Sequence, residues 1–177
     1  ILPLDVAYLI GGNRSAAIHR IFAAKGRTFD KPNGMLGNLD IFDQLLVAKH
    51  QARDLVRAVT EDFGLPLSVV APFRPDAPIL HNLEPGALER STTAGTQDIL
   101  INAGPLANRL AELSLERSQP VLGSSANRSE TGSKFTVETI DPEVIAASDL
   151  IVDHGLCRYN NAVGTSSTII DLISFDV

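Results

Sequence analysis

The 177-residue chain carries 15 Lys and Arg against 21 Asp and Glu, a formal net charge of −6, and its one cysteine, Cys157, excludes an internal disulfide framework and a zinc site built on several thiolates. Hydrophobic residues at 44% and charged residues at 20% suit a globular domain, and the acidic balance argues against a smooth basic nucleic-acid surface. No apolar run nears the roughly 20 residues of a spanning helix, and Ile1-Leu2-Pro3-Leu4-Asp5 lacks the basic start of a signal peptide, so the expectation is a cytoplasmic protein without a membrane partner, one domain over residues 1–177 with both ends trimmed.

In chain order, Pro3-Leu4-Asp5-Val6-Ala7-Tyr8 reads as an opening strand. Residues 13–24 follow as a helix with Ala17, Ile18, Ile21 and Phe22 on one face and Asn13 or Ser15 as its cap. Residues 39–63 carry Leu45, Leu46, Ala52, Leu55, Val56 and Val59 at helical spacing, and Gly64 stops them, which predicts one long helix. A strand at 67–71 leads into residues 72–96, rich in proline, read as a long excursion suited to a lid. Further strands are predicted at 98–101, 120–122, 150–152 and 167–170, with helices at 105–117 and 137–147, the latter interrupted at Asp141-Pro142. Alternating strands and helices give an α/β fold with a mixed sheet covered by helices.

Four constellations carry chemistry. Lys25-Gly26-Arg27, followed by Asp30-Lys31-Pro32, places cations just past a helix end, where they suit a polyanion or a carboxylate, or merely the helix dipole. Gly123-Ser124-Ser125-Ala126-Asn127 follows a strand, the edge at which open α/β sheets bind ligands, although such residues also close turns on their own backbone. Gly164-Thr165-Ser166-Ser167-Thr168 enters the last strand with hydroxyls able to reach phosphate oxygens. Asp5 and Tyr8 punctuate an apolar strand, where an acid is either functional or an edge residue facing water. There is no Walker-type glycine loop. Of His19, His50, His81 and His154, only His154, beside Asp153, is placed to line a pocket.

Taken in order, these pieces resemble the YrdC-like family, the threonylcarbamoyl-adenylate synthases. Pro3-Leu4-Asp5-Val6-Ala7-Tyr8 is similar to the family's proline-threonine-acid-threonine-x-tyrosine strand. Lys25, Arg27 and Lys31-Pro32 match its lysine-x-arginine and lysine-proline elements, and Ser125 and Asn127 its serine-x-asparagine. Ser167-Thr168-Ile169-Ile170-Asp171 matches the closing strand, and Phe63-Gly64-Leu65-Pro66-Leu67-Ser68 echoes a middle stretch. The resemblance implies a twisted sheet around a large concave pocket. It also implies a reaction in which L-threonine, bicarbonate and ATP give threonylcarbamoyl-AMP and pyrophosphate for tRNA modification. Mg2+ is expected on the triphosphate, and tRNA at most as an indirect partner.

The roles it implies are catalytic for Lys25 and Arg27, substrate-binding for Asp5, Tyr8, Lys31, Ser125 and Asn127, and nucleotide-binding for Ser124, Ser167 and Thr168; no metal ligand is implied. Lys25 is expected to be partly exposed. The chain departs from the family at Leu4 and Val6, which replace threonines, at Asn33-Gly34, where a strand of aliphatics is expected, and in Leu100-Ile101-Asn102-Ala103-Gly104-Pro105, which lacks the family's arginine. Two further readings stay open: a relative acting on another substrate, as in carbamoyl transfer, and a non-catalytic nucleotide- or metabolite-binding module.

Overall fold

The structure, a computed structural model, describes residues 1–28 and 31–175. Its strands are β1 (Leu2–Pro3), β2 (Tyr8–Gly12), β3 (Gly34–Gly37), β4 (Leu67–Pro72), β5 (Thr92–Thr93), β6 (Thr96–Ile101), β7 (Leu122–Ser125) and β8 (Ile169–Asp171). Its helices are α1 (Ser15–Lys25), α2 (Leu39–Leu45), α3 (His50–Arg57), α4 (Pro85–Glu89), α5 (Pro105–Arg117) and α6 (Pro142–Ala146). The strands form one sheet in the order β1-β2-β7-β3-β6-β4-β8, with β5 added to β6. The pairs β3–β6 and β4–β8 are parallel and the others antiparallel, so the expected mixed α/β sheet is present. Among the described residues, no helix is long and apolar enough to cross a membrane.

Register decides what each face carries, because side chains alternate along a strand. Ile10, Met35, Val69, Ile99 and Leu122 share one face and are buried with Ile18, Ile21 and Phe22 of α1, Ile41, Phe42 and Leu45 of α2, and Val56 of α3. The opposite face carries Leu9 across from Ser125, Gly34 across from Gly123, and Leu36 and Ser68 both across from Leu100. A smaller cluster of Leu4, Val6, Leu9, Leu36, Ala103 and Ala107 covers only part of that face. The remainder stays open.

Several elements depart from the pattern in the sequence. The long helix expected over 39–63 breaks after Leu45. Leu46 bridges to Phe73, the Val47 N–H donates to the Pro72 carbonyl at 2.7 Å, and Arg53 and Arg74 donate to the Leu46 carbonyl at 3.2 and 3.0 Å. These tertiary hydrogen bonds replace the helical ones, and after α3 the chain passes through a single π turn at Ala58–Asp62. Helix α1 starts two residues late. Neither Asn13 nor Ser15 caps it; the Ser15 N–H donates to Glu84 Oε2 at 2.6 Å, so the capping carboxylate comes from a remote segment.

The opening strand bends at residues 5–7 into two strands. The strand expected at 120–122 lies at Leu122–Ser125 instead, which places Ser124 and Ser125 in the sheet and not in a loop. Residues 150–152 form no strand, and the Val152 N–H simply donates to the Ile1 carbonyl at 3.0 Å. The segment 137–147 divides into a 3-10 turn at Val137–Thr139 and α6, restarting at Asp141-Pro142. Residues 72–96 are no lid: Ala77, Ile79, Leu80 and Ala87 are buried in the main core.

Candidate functional site

The open part of the sheet forms a cavity of about 290 Å3. Its floor is built by β2, β3, β4, β6 and β7; Leu4 and Val6 form an apolar wall, and the α1 terminus and the loops after β7 and before β8 form the rim.

Helix α1 delivers the first cation because it ends where it does. Gly26 takes a left-handed conformation at φ 58°, its N–H reaching the Ala23 and Phe22 carbonyls, and the Arg27 N–H donates to the Phe22 carbonyl at 3.0 Å. Lys25 therefore faces inward from the last helical turn and is only 4% exposed, not partly exposed as the sequence implied. Its ammonium donates to the carbonyls of Ser125 and of Asn127, the latter at 2.6 Å, and lies 3.4 Å from Asn127 Oδ1. The Lys25 carbonyl accepts from the Ser129 N–H at 3.0 Å. Burial, with the charge of Arg27 adding to it, pushes the Lys25 ammonium down to about 7. Lys25 thus clasps the serine-x-asparagine segment to the helix end.

Past Gly26, Arg27 donates to the Pro32 carbonyl at 2.8 Å and lies over the Phe22 ring at 5.8 Å. Lys31 lies 3.4 Å from Glu130 on the exposed rim. Asp30 falls outside the described residues. Ser125 sits on the cavity face, Asn127 is buried beneath the rim, and Ser167 lines the cavity with its neighbour Ser166. Lys25, Arg27, Lys31, Ser125, Asn127 and Ser167 therefore converge on one hollow.

Four expected residues are placed differently. Asp5 does not line the cavity; its carboxylate faces Arg158 at 3.6 Å, and its backbone N–H donates to the Ala103 carbonyl at 2.7 Å. Tyr8 lines the cavity, yet its hydroxyl is committed to Asp153 Oδ1 at 3.0 Å and the Gly155 carbonyl at 2.9 Å, and accepts from the His154 N–H at 3.0 Å. Ser124 borders the cavity, but its register partner is Ile10, so its side chain belongs to the packed face, where its Oγ is buried without a partner. Thr168 is exposed and outside the cavity lining, with its carbonyl taken by the Ser68 N–H at 2.9 Å. His154 does not line the cavity either.

The structure adds Asp98 and Ser68, which the sequence reading passed over. Both lie on the cavity face, with Ser68 the polar neighbour that favours the charged Asp98 carboxylate. Burial pushes that carboxyl up to about 6, against the opposing pull of Ser68 and Arg27. The signal was present: Asp98 is a lone acid opening an apolar run, the same pattern that marked Asp5. Cations on the rim and an acid on the floor make the cavity amphoteric, able to hold both anionic and donor groups.

Comparisons with known proteins fit this geometry. The Sua5/YciO/YrdC family model, described as telomere recombination, matches residues 1–177. A threonylcarbamoyl-AMP synthase of Pyrococcus abyssi is 28% identical over 175 residues, covering 96% of this chain and 46% of the relative. The fold is shared with P. abyssi Sua5 complexed with L-threonine, at TM-score 0.69, 24% identity, and coverage of 97% of this chain and 46% of that one. A hypothetical protein of Streptococcus mutans gives TM-score 0.71 at 25% identity, with 86% and 59% covered. The chain thus spans about half the length of the P. abyssi relatives it matches.

Proposed function

Because the chain belongs to the Sua5/YciO/YrdC family, we propose that it is a threonylcarbamoyl-AMP synthase, joining L-threonine, bicarbonate and ATP with release of pyrophosphate. One observation carries the reading: Lys25, Arg27, Lys31, Ser125 and Asn127, spread over a hundred residues of sequence, meet at one cavity. The carbamate formed from threonine and bicarbonate attacks the α-phosphate of ATP; the new bond is carbamate oxygen to phosphorus, and pyrophosphate leaves with the electron pair. Both partners are anionic, so the reaction needs positive charge and fixed donors at the point of attack. Arg27 and Lys31 supply that charge from the rim. Lys25 holds the Ser125–Asn127 backbone in shape from below and adds its own charge. Ser125, Asn127 and Ser167 orient oxygen atoms by hydrogen bonds. Mg2+ belongs to the substrate as counter-ion of the triphosphate. With a net charge of −6, tRNA is at most an indirect partner or one met by a local patch.

A second reading, a relative acting on another substrate, is favoured by a specific feature. Leu4, Val6 and Leu100 give the cavity an apolar lining; Leu4 and Val6 stand where the family resemblance implies threonines, and residues 100–105 lack the arginine it implies. The deciding measurement is pyrophosphate release from ATP and bicarbonate, with and without L-threonine. Release that depends on threonine is the outcome the synthase reading requires. Release with a different amino acid only, or ATP binding without turnover, sinks it in favour of the other substrate or of a binding module.

A further inference from the structure

The cavity floor carries a feature that an all-anion site has no use for. Asp98 stands on β6 directly beside Gly34 of β3. A Cβ on Gly34 would lie 3.0 Å from Asp98 Oδ2, so the missing side chain is what leaves the carboxylate room. Asp98 Oδ1 is buried and has no hydrogen-bond partner, and Ser68 of β4 is the polar side chain that favours the charged carboxylate. A buried acceptor left open is costly and gains most from a donor brought by a ligand. The surroundings reinforce the selection: Leu36 and Leu100 share its face of the sheet, and Arg27 and Lys31 line the same cavity.

We propose that Asp98, supported by Ser68, is the specificity-determining residue that receives the primary ammonium of a small amino-acid substrate. This rests on the reading that the cavity takes such a substrate. The ligand's anionic end then faces the Arg27 and Lys31 rim, and its hydrocarbon part lies along Leu36 and Leu100. A carboxylate or phosphate docked at this wall would meet like charge, so the floor sorts ligands by the sign of the group they present.

The test is a titration of the intact chain, followed by NMR, with three probes. L-threoninol keeps the ammonium and has no carboxylate; N-acetyl-L-threonine has the carboxylate and no ammonium; pyrophosphate reports the anionic rim. L-threoninol should bind the wild-type chain more tightly than N-acetyl-L-threonine does, a comparison that needs no variant. Asp98→Asn should weaken L-threoninol about tenfold or more, the loss typical of a hydrogen bond to a charged group, and leave pyrophosphate unchanged or tighter. The proposal is overturned if L-threoninol gives no shifts with the wild-type chain, if it binds Asp98→Asn equally well, or if N-acetyl-L-threonine binds the wild type more tightly. Threonine-dependent pyrophosphate release together with indifference to Asp98→Asn removes this inference alone. L-threoninol binding that depends on Asp98, without any pyrophosphate release, removes the synthase reading alone.

Discussion

The two faces of the sheet are made by the same strands and differ in every other residue. On β6, Ile99 is buried in the main core, whereas Asp98 beside it opens into the cavity. On β7, Leu122 packs inward and Ser125 faces the hollow, and on β4 Val69 and Ser68 divide in the same way. One face is closed by helices that bring their own apolar stripes. The other is closed only in part, by the Leu4–Val6 bend and by α5, and what is left uncovered becomes the site. The contrast teaches that stability and function here are separated by a single pleat, so neighbouring substitutions should fall into different classes of effect.

The largest effect should come from the packed face. Ile99→Ala removes a fully buried side chain and is expected to cost about 2–5 kcal/mol in denaturant unfolding. A loss of well under 1 kcal/mol would break the distinction between the faces. Next comes Lys25→Ala, which should impair both properties. Truncation leaves the carbonyls of Ser125 and Asn127 without their buried donor, at a cost of about 1–3 kcal/mol, and pyrophosphate release should fall as the rim segment loosens. An unchanged melting temperature with lost turnover would return Lys25 to a purely catalytic role.

The sharpest readout is pH. Asp98 has a folded value raised from 3.8 to about 6, so between these the folded chain holds a proton that the unfolded chain has released, and stability falls as pH rises through that window. Lys25 has a folded value lowered from 10.5 to about 7, so above neutrality the unfolded chain holds the extra proton, and stability rises with pH toward the unfolded value. The two contributions taken as a pair are lowest near pH 6–7. Asp98→Asn should flatten only the acidic limb and Lys25→Met only the basic limb, as melting curves across pH would record; a variant that shifts both limbs equally would tie the two groups into one network and contradict their separate placement.

Much of this protein was legible along the chain. Helix α5 occurs over the predicted residues because proline opens it and its leucines keep helical spacing, and Gly26 ends α1 as its conformational freedom allows. Lys25, Arg27, Ser125 and Asn127 announced the rim because cations past a helix end and small polar groups beside a strand suit anions wherever they occur. The long helix over 39–63 failed because the groups that break it, the Pro72 carbonyl that accepts from the Val47 N–H and the Arg74 guanidinium that donates to the Leu46 carbonyl, come from outside the segment. The cap of α1 was misplaced for the same reason, since Glu84 supplies it from afar.

The sequence by itself determined the alternation of strands and helices and the identity of the cationic and small polar groups that meet at the cavity, since these depend on local propensity and residue chemistry. Only the tertiary structure decided which side of each strand meets the cavity. It drew Asp98 and Ser68 into the site, turned the side chain of Ser124 away from it, and buried Lys25. Those outcomes follow from strand register and from how far the helices reach across the sheet, and both are set by pairing between distant segments.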